Sequence, residues 1–289
     1  MKAIKKCLIV VSLFALFSCE KESEQNSFEY TKSSEYFSST KDIDAMSEEI
    51  TDFHDYFIHF FWDNIYKESM TCDADFILAM RDIVTDKAKA YPFVYIDKSG
   101  FEKDDDDDSF VNLCFDAMKG DTLDLSREEM LYGDKVDVNF ALVEREANQA
   151  AAHLENLFYT SSTPEEMEVA YENYVEKRLG NMKTQQDYLC LRFYTDMYLS
   201  SFTTWCNILY GQNDGTKKSN WWKSAWDKAK QTAKDVWKEV KPVVKADAEG
   251  AVGGAVVGMA AGGVGAGPGA VGGAAGSSIG KCVGNILSK

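Results

Sequence analysis

Between residues 41 and 211 the apolar positions recur at three- and four-residue steps, the spacing of one helix face. Ile43, Met46, Ile50, Phe53, Phe57, Phe60, Phe61 and Ile65 trace the first such face. A shorter helical pattern covers 76–90 and ends at Tyr91-Pro92, because proline drives the residue before it out of the α region. Phe140, Val143, Ala147, Ala150, Ala151, Leu154, Leu157 and Phe158 mark a long helix, and Met167, Ala170, Tyr171, Tyr174 and Val175 mark the next. Leu189, Phe193, Met197, Trp205 and Leu209 give the inward face of a last helix over about 184–210. Two starts are punctuated. Ser126 with Glu129 has capping-box spacing, and Thr163-Pro164-Glu165-Glu166 adds a proline at the first helical position. Strand-like alternation is confined to 93–96. The pattern predicts an all-α fold, an antiparallel bundle of five or six helices over 41–212, with no internal repeat of fixed period.

The pattern changes after the turn-rich stretch Gly211-Gln-Asn-Asp-Gly-Thr216. Trp222, Trp226, Ala229, Ala233, Val236, Trp237 and Val240 fall on one helical face, while Lys223, Lys228, Lys230, Lys234, Lys238 and Lys241 occupy the others. This defines a basic amphipathic helix over 217–249. Tryptophan favours the headgroup boundary, and each lysine beside an anionic leaflet contributes about 1 kcal/mol. Trp221, Trp222, Trp226, Trp237, Lys223, Lys230 and Lys234 are therefore the candidate membrane-interface residues. The same face also suits docking onto an acidic bundle, so two environments compete for it. Pro242 is expected to stop or kink this helix.

Residues 250–280 form a run of thirty-one without a charge, and fourteen of the chain's twenty glycines lie between Gly250 and Gly284. Gly250, Gly254, Gly258 and Gly262 repeat every four residues, as do Gly272, Gly276, Gly280 and Gly284. A four-residue step leaves one slowly drifting stripe without side chains, on which two backbones can approach closely. Pro268 divides the run into arms over 250–266 and 269–287, about 26 and 28 Å long at 1.5 Å per residue. Each interior glycine costs roughly 1 kcal/mol against alanine in a water-exposed helix, whereas hydrocarbon compels the backbone to be helical. A helical membrane hairpin over 250–289 is the expectation, the eight glycines of the two rows its packing residues. A flexible or soluble-packed tail is the alternative.

At the other end, Lys2, Lys5 and Lys6 precede an apolar run over 8–17 that closes in Leu16-Phe17-Ser18-Cys19. This resembles a bacterial lipoprotein signal with its lipobox. The resemblance implies cleavage after residue 18, acylation of Cys19, and export to the outer membrane. Glu-Lys-Glu-Ser-Glu after Cys19 resembles the acidic tether of surface-exposed Bacteroidetes lipoproteins, and 19–40 reads as a flexible acidic stalk. The segment 221–289, cationic and Trp-bearing and then rich in G-x-x-x-G, resembles class II bacteriocins and glycine-zipper membrane segments. It differs from those peptides in following a large domain rather than a double-glycine leader.

Charge sharpens this division. The 289 residues carry a formal net charge of −16, yet from residue 217 onward eleven lysines face five acids. A body this acidic repels nucleic acid; membrane lipid, and the hairpin itself through self-association, are the expected partners. Catalytic chemistry has no motif behind it. The sequence shows no nucleophile elbow, P-loop or dinucleotide fingerprint, and it implies no cofactor, resident metal or small-molecule substrate. Asp52, Asp55, His59 and Asp63 step down one helix side at a spacing compatible with a divalent cation, and Asp104–Asp108 form an acidic run. Solvated faces explain both more simply. Cys190 and Cys206 lie too far apart on one helix to bridge each other, and a Cys72–Cys114 pairing remains open. The expectation is a non-enzymatic envelope lipoprotein with a membrane-interacting, bacteriocin-like or pore-forming tail. The alternative is a surface lipoprotein whose helical domain binds a protein or glycan while the tail is disordered or docked.

Overall fold

The helical periodicity is realised in a computed structural model, which describes residues 39–65, 74–101, 132–210, 226–260 and 265–286. The helices are α1 (Thr40–Asn64), α2 (Ala74–Ala90), α3 (Phe140–Thr160), α4 (Pro164–Leu179), α5 (Gln185–Tyr210), α6 (Ala233–Ala260) and α7 (Ala266–Ile286), with a 3-10 turn at Lys98–Phe101. A further helical stretch, 226–231, precedes α6. The fold is all-α, and no strand occurs among the described residues. The Ser126–Glu129 box, the aspartate run, Cys19, Cys72, Cys114, Trp221, Trp222, Lys223 and Gly262 lie outside those residues.

Local chemistry explains the boundaries. Thr163 Oγ1 accepts the Glu166 N–H at 3.1 Å while Glu166 Oε2 accepts the Ser162 N–H at 2.7 Å, with Pro164 opening α4. Asn139 caps α3 by accepting from the Leu142 N–H. The Tyr91 N–H closes α2 on Lys87 O and Ala88 O just before Pro92. The alternating stretch 93–96 is not a strand. Its Val94, Tyr95 and Ile96 N–H groups all donate to the Glu49 carboxylate at 2.6–3.1 Å, which holds it as a loop against α1.

Inward faces agree with the spacing. Ile43, Met46, Ile50, Phe53, Phe57 and Phe61 of α1 are buried, as are Val143, Ala147, Ala150, Leu154 and Phe158 of α3 and Leu189, Phe193, Met197 and Trp205 of α5. Antiparallel α6 and α7 lie at the centre. Helix α6 packs mainly on α5, and α7 packs on α1, α2 and the 3-10 turn. Their apolar residues join those of α1 to α5 in one core. The described parts of 217–249 and 250–289, residues 226–260 and 265–286, are thus not appendages to a finished bundle; they complete it.

Pro242 does not end its helix. Helix α6 runs from Ala233 to Ala260 through it, with Pro242 on the exposed side and Val240, Val243 and Val244 buried. Losing one internal hydrogen bond costs about 3 kcal/mol, an amount that burying three valines, at about 1.5–3 kcal/mol each, offsets.

The hairpin is a glycine zipper between its own arms, in a register the sequence did not specify. A methyl group placed on Gly250, Gly254 or Gly258 would lie 2.3, 2.0 or 2.1 Å from Gly273 O, Gly269 O or Gly265 O respectively. The first arm uses the expected row. The second uses Gly265, Gly269, Gly273 and Ser277 instead of the row from Gly272 to Gly284. The reason is geometric: the inter-helix register sets which four-residue row faces inward, and adjacent rows are 100° apart. Gly272 and Gly276 are buried, whereas Gly280 is exposed with open space around its Cα. Gly284 falls within α7.

Two alanine substitutions should therefore have opposite signs. Gly254→Ala meets backbone that cannot swing aside and should cost about 2–3 kcal/mol, while Gly280→Ala should gain about 1 kcal/mol through helix propensity. Denaturant midpoints at constant m-value measure both.

Candidate functional site

The basic helix docks on the acidic bundle. Trp226 is 2% exposed and meets Phe158 edge-on at 5.4 Å. Trp237, 5% exposed, stacks on Phe158 at 6.1 Å and tilts against Phe202 at 5.4 Å. Lys230 Nζ donates to Phe158 O at 2.6 Å and Tyr159 O at 2.9 Å. These are carbonyls at the C-terminal end of α3, where the helix dipole favours a cation. Burial lowers the Lys230 ammonium from its ordinary value, against the pull of Glu166. Lys241 pairs with Glu155 at 3.0 Å, and Lys234 is exposed. The tryptophan face expected at a headgroup boundary is therefore turned inward at Trp226 and Trp237. Complementary charge and two large aromatic surfaces favour the protein interior.

A buried polar cluster joins α1, α5, α6 and α7. His54 on α1 places Nε2 2.8 Å from Ser278 Oγ on α7 and 3.4 Å from Asp247 Oδ2 on α6. Its Nδ1 is 3.4 Å from Asp55 Oδ1. Asp247 Oδ2 also accepts from Ser201 Oγ at 2.5 Å and from Trp205 Nε1 at 3.1 Å, both on α5. Asp247 Oδ1 is buried with no hydrogen-bond partner among the described residues. Asp55 accepts from Ser200 Oγ at 2.7 Å. Burial alone would strip the proton from His54, but the hydrogen bonds and charges of Asp247 and Asp55 outweigh it, raising the pKa from 6.5 to about 9. The imidazole is thereby favoured in its protonated form beside the Asp247 and Asp55 side chains.

Ser278, His54 and Asp55 have the residue types of a nucleophilic relay. The arrangement does not suit one: Ser278 and His54 are 0% and 1% exposed, and Asp247 competes with Ser278 for the same ring nitrogen. The cluster ties helices together. Two outer groups act similarly. Arg192 meets Asp44, Glu176 and Asp196 at 2.8–3.3 Å, and burial pushes the Asp196 carboxyl up to about 6 against the pull of Arg192 and Ser47. Glu146 accepts from Arg145 and Arg178. Burial opposes ionisation of Glu146, but those two guanidiniums win and hold it below its ordinary value.

No group of three or more His, Cys, Asp or Glu suited to a metal ion occurs among the described residues, and Asp55 of the acidic row serves His54 and Ser200 instead. Cys190 and Cys206 are buried free thiols. Among the described residues no helix is long and apolar enough to cross a membrane. Set against family models, curated proteins and solved structures, the chain matches none.

Asp247 was the missed residue, although a signal existed. Val236, Val240, Val243, Val244, Asp247, Gly250 and Ala251 follow one apolar stripe, so its charge interrupts the buried face. His54 beside Phe53, four residues after Ile50, is the matching interruption on α1.

Because the folded pKa of His54 lies above the unfolded value, its stabilisation is complete below pH 6.5 and is lost as pH rises through about 9. Roughly 3 kcal/mol should disappear across that window, and His54→Gln should flatten the loss. Unfolding free energies at stepped pH provide the measurement.

Proposed function

We propose that this chain is a non-catalytic lipoprotein, anchored through acylated Cys19 to the bacterial outer membrane, whose helical domain carries a membrane-active glycine-zipper hairpin in sheathed form. The observation behind this reading is the glycine-on-glycine contact row within the buried, charge-free stretches 250–260 and 265–276. A soluble core is ordinarily stabilised by side-chain volume, which glycine does not supply. A hairpin held by backbone contact and satisfied in its own hydrogen bonds is at home in a protein core and in hydrocarbon alike. In this reading the two arms act together as a packed pair at or within the leaflet. Self-association would use the Gly272–Gly276 row, which the arms do not share with each other. Antagonism of neighbouring cells, as with bacteriocins, is the use such a tail serves.

A second reading has its own support. The docked Trp226 and Trp237 favour a permanently closed bundle, a surface lipoprotein that binds a protein or glycan. Deleting 250–289 cannot separate the two readings, because it removes the centre of the core. Acylated full-length protein should make vesicles of phosphatidylethanolamine and phosphatidylglycerol leak and should gain protease protection over 250–286. A closed binding module would do neither. Cys19→Ala should abolish fatty-acid labelling and move the protein to the soluble fraction; retention with the membrane in unacylated form would remove the anchor from the proposal.

A further inference from the structure

We propose that His54 is the latch that keeps the hairpin inside the bundle, since this one imidazole on α1 engages both of the helices that carry its arms, Asp247 of α6, three residues before the first arm, and Ser278 of α7, within the second. The inference rests on the membrane-active reading, in which the hairpin leaves its sheath. Between Gly250 and Gly276 the arms are held by packing and not by side-chain hydrogen bonds. Residues 250–276 contain no polar side chain. At the far end of the hairpin, the apolar side chains of Ile96 and Met46 close over Gly267. Apolar contacts of this kind are non-directional and lose little when lipid replaces protein. The His54 contacts are different: they are directional, buried, and cannot be reproduced in hydrocarbon.

Every element around the imidazole contributes to the latch. Helix α6 presents the Asp247 carboxylate and α7 the Ser278 hydroxyl. Helix α1 adds Asp55, and α5 supplies Ser200 to Asp55 and both Ser201 and Trp205 to Asp247. One positive charge thus balances two carboxylates, one of them fully buried. Removing it leaves the buried Asp247 carboxyl with the Ser201 and Trp205 hydrogen bonds but no cationic partner, a penalty that displacement of α6 would relieve. Breaking one partner of a buried pair is far more disruptive than replacing both by apolar groups. The latch therefore predicts a specific non-additivity.

The test compares the full-length protein with His54→Gln, Asp247→Asn and the double variant His54→Leu/Asp247→Leu. Hydrogen exchange is read separately over 250–260 and 266–281 and over α3 and α4, alongside dye release from vesicles of phosphatidylethanolamine and phosphatidylglycerol. Either single substitution should speed hairpin exchange on the order of 100-fold, leave α3 and α4 protected, and hasten release. The apolar double should restore protection of the hairpin in water, yet release dye at least as fast as the singles, because its contacts lose little when lipid replaces protein. Exchange that rises equally in α3, α4 and the hairpin would make His54 an ordinary core residue and overturn the latch, as would a double variant that restores wild-type release. Hairpin-confined exchange with vesicles intact for every protein would keep the latch and sink the membrane-active reading. Vesicle release by wild type at the same rate as by His54→Gln, with unchanged exchange, would do the reverse.

Discussion

The absence of a Cβ at three paired positions governs this structure. Gly250, Gly254 and Gly258 lie against Gly273, Gly269 and Gly265 so closely that a methyl group on any of the first three would fall within 2.3 Å of the opposite backbone. No side-chain rotation relieves such a clash, so the inter-arm distance is set by the main chain itself. Helix α6 can then lie on α5 while α7 lies on α1 and α2, and the five outer helices close around a hairpin narrower than any built from leucine. Widening the hairpin would push those two layers apart and open the faces carried by Phe53, Phe57 and Phe158.

A core of this kind buries little apolar area per residue, which gives its few polar contacts unusual weight. The imidazolium of His54 and the carboxylate of Asp247 are both taken out of water, a transfer costing several kcal/mol per ion. The cost is met by mutual attraction and by the Ser201, Trp205 and Ser278 hydrogen bonds. The net stabilisation of such a pair is small, but the penalty for separating it is large. That asymmetry suits a contact that fixes which of two arrangements the hairpin occupies better than one that merely adds stability.

Helices, faces and caps were legible because each depends on residues within one or two turns. The spacing of Ile43 to Phe61, the Thr163-Pro164 start and the Tyr91-Pro92 stop all describe local preference. The first zipper row was legible for the same reason. The second was not, since its identity depends on the register between arms, a tertiary quantity that a four-residue repeat leaves open when Gly265, Gly269 and Gly273 repeat as regularly as Gly272, Gly276 and Gly280. The fate of Trp226 and Trp237 was equally underdetermined. A basic aromatic face fits a headgroup layer and an acidic bundle alike, and only the position of Phe158 and the α3 carbonyls decides between them. Pro242 misled because its local cost is real but smaller than the burial on both sides of it.

Continuity of α6 couples the two features that the sequence kept apart. Trp237, docked on Phe158, and Gly258, packed on Gly265, belong to one helix of 28 residues, a rod of about 42 Å at 1.5 Å per residue. A rigid rod cannot shift its glycine half without disturbing its tryptophan half. Pro242 lies between them on the solvent side, where one main-chain hydrogen bond is already missing, and it is the place where bending costs least. Asp247 stands on the hairpin side of that point. Any movement of the glycine arms that leaves Trp226 and Trp237 seated must bend near Pro242 and part Asp247 from His54, so the buried pair resists the very motion that the proline makes cheapest.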